Sequence, residues 1–158
     1  MTDNQQRIAL WLTLAGKKAP ETPTMVDKDF FNLWYKLMLE ELEETKKAFE
    51  EGGMPEVIDG LVDIEWVHNN LTHMMGLLQP KLYQKSFDEV DKSNFSKYCK
   101  TEEEAIESVE NYKTRVDDKQ CEAIYEQVGN FWIVFRKSDR KILKSIDYKA
   151  ADIKSIIK

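Results

Sequence analysis

Apolar residues recur at intervals of three and four through the first half of the chain, which is the spacing of one helix face. The pattern predicts a first helix that ends at about Gly16. A loop with two prolines follows, because each proline disfavours helix at the residue before it. A long helix is then predicted over 28–51, with Thr24 or Asp27 as its N-terminal cap.

The long helix is predicted to stop at Gly52 and Gly53, since glycine supplies the left-handed conformation that ends many helices. A second helix begins at once, with Pro55 in its first turn, and its apolar pattern continues to Leu78, ahead of Pro80. So short a connection predicts that the two helices form an antiparallel hairpin.

Three further elements are predicted after this hairpin. Residues 81–98 have the pattern of a helix. Thr101 and Glu104 have the spacing of a capping box, which predicts a polar helix from there to about Arg115. In 121–138, β-branched and aromatic residues cluster on both sides of a Val-Gly-Asn turn, which indicates a β-hairpin.

The predicted fold is mostly α: a helical bundle around the antiparallel helix hairpin, with a small C-terminal β-hairpin. A short helix is also predicted near the C-terminus, over 152–157. The length predicts a single domain over 1–158, in which the helix and β-hairpin of about 101–138 are an elaboration.

Composition narrows the class of protein. Of the 158 residues, 42% are hydrophobic and 33% charged, and no apolar run approaches the roughly 18 residues of a membrane span. This composition is typical of a soluble globular protein with no membrane partner. The amino terminus has neither a basic start nor a small-residue cleavage site, so it is interpreted as mature protein in the cytoplasm.

Negative charge is concentrated in one part of the chain. The formal net charge is −6, and 36–65 holds ten acidic against three basic residues, which accounts for the whole negative excess. Nucleic-acid binders normally show a basic surface, so a pI of about 5.1 argues against a nucleic-acid partner. Concentrated carboxylates instead indicate a divalent cation.

Helical projection separates inward from outward acids. Glu41 falls in the middle of the apolar arc of the long helix, and Glu44 falls at its edge. Glu40 and Glu43 project toward solvent. An unpaired carboxylate on a core face is costly, so Glu41 needs a cation, a hydrogen-bond network or a raised pKa.

Three acids share one face of the second long helix. Glu56, Asp59 and Asp63 stand at i, i+3 and i+7. Antiparallel packing then brings Glu41 and Glu44 opposite them, so that four or five carboxylates surround one cavity. Oxygen-only clusters of this kind suit Mg²⁺ or Mn²⁺.

A simpler interpretation is a solvated acidic helix face. In that case the acids form surface pairs, such as Glu43 with Lys47, and bind no ion. The inward projection of Glu41 and Glu44 leaves both interpretations open. His68 and His73 are expected to be core or interface groups rather than ligands, because they lie on a largely apolar helix.

The order of the acids resembles that of a known superfamily. An EExxE motif spans 40–44, and an ExxD motif spans 56–59, with Asp63 following. This is similar to the signature of the all-α NTP pyrophosphohydrolases, which include MazG-like proteins, dimeric dUTPases and phosphoribosyl-ATP pyrophosphohydrolase. A phage-type branch is the nearest in pattern, with a proline-containing loop, an SNxSK element at 93–97 and a KILK…Y…AD tail from 141 onward.

The resemblance implies a set of site residues. Glu41, Glu44, Glu56 and Asp59 would bind Mg²⁺, with Glu41 and Glu44 as the catalytic pair. Asp63 is a competing or additional ligand, because an apolar run follows it as one follows the aspartate of the family. The choice between Asp59 and Asp63 stays open.

The resemblance also implies an activity. It is Mg²⁺-dependent hydrolysis of a nucleoside triphosphate or related nucleotide between the α and β phosphates, which gives a monophosphate and pyrophosphate. Asn94 and Lys97 match positions near the nucleotide phosphates, and members are typically homodimers or homotetramers. The alternatives are a non-catalytic nucleotide-binding or interaction protein that retains the fold, and hydrolysis of phosphoribosyl-ATP in histidine synthesis.

Overall fold

The computed structural model describes residues 2–78 and 82–157. The chain divides into two compact units, Met1–Gln84 and Lys85–Lys158, and each is described by itself. The assignment of 1–158 to a single domain stays a prediction. No helix within the described ranges is both long enough and apolar enough to cross a membrane.

Three helices form the first unit: α1 (Asp3–Leu14), α2 (Lys28–Glu51) and α3 (Met54–Met74). A capping box that the sequence analysis missed begins α1. The Thr2 hydroxyl accepts a hydrogen bond from the Gln5 N–H at 3.3 Å, and Gln5 Oε1 accepts one from the Thr2 N–H at 2.9 Å.

Of the two predicted caps of α2, Asp27 is the one used, and its Oδ1 accepts a hydrogen bond from the Phe30 N–H at 2.8 Å. The predicted left-handed stop is wrong, since φ is −104° at Gly52 and −139° at Gly53. Glycine is needed at Gly52 for another reason. A Cβ there would lie 2.9 Å from the Ala48 carbonyl oxygen, which accepts the Gly52 N–H.

The prediction that α3 continues to Leu78 is also wrong, because the helix ends at Met74. Gly76 adopts φ +69°, and a Cβ on it would lie 2.7 Å from the Thr22 carbonyl oxygen. The left-handed Gly76 ends the helix locally: the Gly76 N–H donates to the His73 carbonyl oxygen and the Leu77 N–H to the Thr72 carbonyl oxygen, both at 2.9 Å. Pro80 lies outside the described residues.

Helices α2 and α3 pack along each other as the predicted antiparallel hairpin, and α1 packs on α3. Ile8 and Leu12 of α1 are almost fully buried. The ring of Trp11 meets the ring of Trp66 edge to face, with centroids 5.7 Å apart. These contacts confirm the mostly α fold around a helix hairpin.

Helix α4 (Leu82–Phe95) leads into the second unit, which contains α5 (Glu102–Thr114), β1 (Ala123–Val128), β2 (Phe131–Arg136) and the short α6 (Ile153–Ile156). The two strands pair antiparallel, which confirms the predicted β-hairpin, and α5 packs on both.

Local sequence signals position the start of α5 and the turn between β1 and β2. The Thr101 hydroxyl accepts the Glu104 N–H at 3.3 Å, but the Glu104 carboxylate accepts the Lys100 N–H instead of that of Thr101, so the predicted capping box is half formed. The strand turn is two residues long, and Gly129 adopts φ +60°, which glycine tolerates without strain. Around them, α5, both strands and the tail share one core: Cys99, Ala105, Tyr112, Ala123, Val134 and Leu143.

Candidate functional site on the acidic hairpin

Helices α2 and α3 approach closely at one glycine. A Cβ on Gly60 would lie 2.3 Å from Thr45 Oγ1 and 3.1 Å from Thr45 Cβ, so any side chain would force the helices apart. The Thr45 hydroxyl is itself held by donating to the Glu41 carbonyl oxygen at 2.7 Å. Gly60 was not among the predicted site residues, although a glycine inside an apolar helical pattern is a signal of close packing.

This contact sets which acids face one another. Since the helices are antiparallel and Thr45 lies against Gly60, Glu41 lies level with Ile64. At a rise of about 1.5 Å per residue, Asp63 is about 1.5 Å along the axis from that level, and Asp59 about 7.5 Å. Glu56 is about 12 Å away, near the start of α3. Glu41 therefore faces Asp63 most directly.

Electrostatics agree with this register. Burial raises the pKa of the Glu41 carboxyl above its usual value, and the negative charges of nearby acids raise it further. These acids are, in decreasing order of effect, Asp63, Glu44, Glu40 and Asp59. Within the described parts of the chain, no ion pair involves Glu41 or any of these four. Among the described residues, these five acids thus carry negative charge that no ion pair neutralises.

The predicted residues differ in exposure. Glu41 and Asp63 are half-buried, whereas Glu44 and Asp59 are exposed. Glu56 is exposed as well, and its Oε2 accepts the Gly53 N–H at 3.1 Å, so it caps the start of its own helix. Asp63, Glu44 and Asp59 therefore lie near enough to Glu41 to raise its pKa, whereas Glu56 does not contribute.

The carboxylate oxygens of these acids are the ligands that a hard divalent cation such as Mg²⁺ prefers, and their negative charge favours a cation. The carboxylates do not point to one common position. Across 2–78 and 82–157, no three His, Cys, Asp or Glu side chains lie close enough together to hold an ion. Binding of a cation therefore requires rotation of carboxylates toward one point. The glutamate side chains of α2 and the shorter aspartate side chains of α3 can change rotamer without moving the backbone.

Asn94 and Lys97 lie at the end of α4 and just after it. Lys97 Nζ donates a hydrogen bond to Asn94 Oδ1 at 2.6 Å. Asn94 is exposed and Lys97 half-buried, so both can reach solvent. Their assignment as phosphate ligands stays a prediction.

A buried polar group on α3 also escaped the sequence analysis. Asn70 is fully buried, and its Nδ2 donates to the Trp66 carbonyl oxygen at 2.8 Å. Among the described residues, Asn70 Oδ1, His73 Nε2 and Trp34 Nε1 are buried without a hydrogen-bond partner. Burial lowers the pKa of His73, and a hydrogen bond with the Lys17 backbone opposes this in part.

The other histidine of α3, His68, lies beside Tyr83. His68 is half-buried, and its Nε2 lies 3.4 Å from the Tyr83 hydroxyl. His73 is 6% exposed. Both positions fit the expectation of core groups on an apolar helix.

Two comparisons with known proteins bear on this site. An uncharacterized protein of Acanthamoeba polyphaga mimivirus is 32% identical over 73 residues, which are 45% of this chain and 29% of that protein. The chain thus spans less than a third of that relative. Residues 12–94 match the family model of phosphoribosyl-ATP pyrophosphohydrolase, a stretch that includes all of α2 and α3 and every predicted metal ligand. The chain belongs to this family, within the all-α NTP pyrophosphohydrolase superfamily that the EExxE motif indicated.

Proposed function

We propose that this protein is a Mg²⁺-dependent nucleotide pyrophosphohydrolase. It cleaves a nucleoside triphosphate or related nucleotide between the α and β phosphates and releases a monophosphate and pyrophosphate. Family membership supports the hydrolase class. The observation that supports the proposed metal dependence is the half-buried Glu41, whose pKa is raised by burial and by Asp63, Glu44 and Asp59, and which forms no ion pair among the described residues.

Glu41, Glu44, Asp59 and Asp63 hold the cation in this proposal. Asp63 is the principal ligand from α3, because it lies nearest the level of Glu41 and has the largest electrostatic effect on it. Glu56 joins only if it releases the Gly53 N–H. Mn²⁺ is the alternative ion, since its ligand preferences are similar.

Mg²⁺, when bound, supplies positive charge against the substrate phosphates and makes water more acidic. The carboxylates of the chain position that ion, and Glu41 or Glu44 accepts a proton from the attacking water. Asn94 and Lys97 are proposed to contact phosphate oxygens, for which the lysine ammonium is a compact positive charge.

We also propose that the chain forms a homodimer or homotetramer through the hairpin. Several large apolar side chains of α2 and α3 are exposed, among them Leu39, Leu42, Ile58, Leu61 and Val62, at 41–56% of their surface. Contiguous exposed apolar surface of this kind is typical of association sites. Light scattering of the purified protein measures the oligomeric state directly.

The test is an assay of pyrophosphate release with Mg²⁺ and a panel of NTPs, dNTPs and phosphoribosyl-ATP. Turnover of at least one nucleotide is expected, with loss on Glu44→Gln and retention on Glu43→Gln, the outward acid one residue away. If neither Mg²⁺ nor Mn²⁺ supports turnover and Glu44→Gln changes nothing, the non-catalytic alternative replaces the enzyme.

A further inference from the structure

The second unit contains a cavity of about 820 Å³ that the acidic hairpin does not explain. Its walls come from α5, the loop after it, the end of β2 and the tail from 141 to 148. Two acidic residues, Glu107 and Asp118, line it. Six basic residues also line it: Lys97, Arg115, Lys119, Arg136, Lys141 and Lys144.

The two arginines are already paired. Arg115 donates to both carboxylate oxygens of Asp117, at 2.6 and 2.5 Å, and Arg136 does the same to Asp139, at 2.8 and 2.6 Å. In contrast, none of the four lysines forms an ion pair within the described residues. The lysines therefore supply positive charge that is available to a ligand.

The tail that forms one wall is held in place by partly buried hydrogen bonds. The Lys144 N–H donates to the Tyr112 hydroxyl at 3.1 Å, and the Ile146 N–H donates to the Ser108 hydroxyl at 3.0 Å. Ser108 is fully buried. A wall fixed in this way is formed before any ligand arrives, which lowers the entropy cost of binding.

Tyr148, which also lines the cavity, lies close to Lys144. A hydrogen bond donated by Ser93 lowers the pKa of its phenol, and the charges of Lys144 and Lys97 lower it further. Lys144 Nζ also lies 4.0 Å from the centroid of the Tyr148 ring. The lysines thus act together on one region of the cavity.

We propose that this cavity binds a phosphorylated small molecule of nucleotide size, held by Lys119, Lys141 and Lys144. The volume lies within the range of about 300–1,000 Å³ that is usual for small-molecule sites. Several lysine ammonium groups on separate segments match a ligand with more than one phosphate charge. Every lining residue lies beyond 94, outside the stretch that matches the family. Lys97 is the lining residue that the proposed hydrolysis also uses, and the inference rests instead on Lys119, Lys141 and Lys144.

Calorimetric titration with ATP in EDTA tests this site, because the acidic hairpin without metal repels polyphosphate. ATP is expected to bind and adenosine, which has no phosphate, is not. The Lys119→Ala/Lys144→Ala variant is expected to weaken ATP binding at least 10-fold. Lys92→Ala/Lys113→Ala removes the same charge away from the cavity and is expected to change the affinity less than 2-fold, with circular dichroism confirming that both variants fold.

The inference would be overturned by no metal-free binding of ATP, by adenosine binding as tightly as ATP, by equal weakening in the two double variants, or by an at least 10-fold change of ATP affinity in Glu41→Gln. The last result would place the ATP on the acidic hairpin. Tighter binding of a single-stranded oligonucleotide than of ATP would identify a polynucleotide surface and equally overturn the small-molecule site. Because metal is absent throughout, failure here is distinct from failure of the pyrophosphate assay.

Discussion

Gly60 of α3 lies directly against Thr45 of α2, so close that a Cβ on the glycine would lie 2.3 Å from the threonine hydroxyl oxygen. The contact is adjacent in sequence to an acid on each helix: Glu44 precedes Thr45, and Asp59 precedes Gly60. The distance between the helices at this point therefore sets the distance between the carboxylates of the candidate site.

Gly60→Ala is expected to lower the free energy of unfolding by about 1–2 kcal/mol. Overpacking a tight contact costs about 1–3 kcal/mol, and alanine returns up to about 1 kcal/mol through its better helix propensity. Urea unfolding followed by circular dichroism measures the change. Helix propensity alone predicts the opposite sign, so an alanine variant more stable than the parent protein would contradict the close contact.

The double variant Gly60→Ala/Thr45→Ala is the matched control. Removing the hydroxyl relieves the 2.3 Å contact, although Thr45 Cβ at 3.1 Å stays. Part of the lost stability should return in a double-mutant cycle, because the two residues interact directly. Strictly additive effects would show that the cost of Gly60→Ala arises elsewhere.

Glu41→Gln is expected to reduce pyrophosphate release by about 100-fold, equivalent to about 2.7 kcal/mol, through loss of a metal ligand. The same change should stabilise the metal-free protein slightly at neutral pH. A raised folded-state pKa means that ionised Glu41 costs stability in full above the raised value, and this cost is relieved as the pH falls through the raised value to the usual one.

The matched control is Glu43→Gln, on the outward side of the same helix turn. It is expected to leave both activity and thermal stability near those of the parent protein. If Glu41→Gln and Glu43→Gln lower activity equally, the acids act as one exposed surface and no site at Glu41 exists.

Asp63→Asn is expected to lower the pKa of Glu41 more than Asp59→Asn does, because Asp63 has the larger electrostatic effect on it. Titration of the glutamate side-chain carbonyl carbons by NMR, without metal, measures this difference. Activity should follow the same order, with the larger loss for Asp63→Asn. A larger pKa change on Asp59→Asn would contradict the register set by Gly60 and Thr45.

His73 should make stability fall on mild acidification. Burial lowers its pKa in the folded protein, so below about 6.5 the unfolded chain binds a proton that the folded chain does not. The free energy of unfolding should decrease as the pH drops from 7 toward the lowered pKa, by at most about 1.4 kcal/mol per pH unit. Urea unfolding at several pH values measures this slope, which should be shallower in His73→Gln than in His68→Gln.

The helices and the β-hairpin were predictable from sequence because their signals are local. Apolar spacing placed α2 and α3, and a glycine turn between β-branched strands placed β1 and β2. The ends were less predictable. α3 stops at Met74 because Gly76 adopts the left-handed conformation, although the apolar pattern continues to Leu78.

The candidate site divides in the same way. Helical periodicity in the sequence correctly places Glu41 and Asp63 on partly buried faces, whereas Glu44, Glu56 and Asp59, also expected at the cavity, are exposed. The register of the two helices depends on tertiary contacts. Because Gly60 has no side chain, Thr45 packs directly against it, and this places Asp63 rather than Glu56 beside Glu41. Helix faces follow from local geometry, whereas the level at which two helices meet depends on the shape of the surfaces they bury.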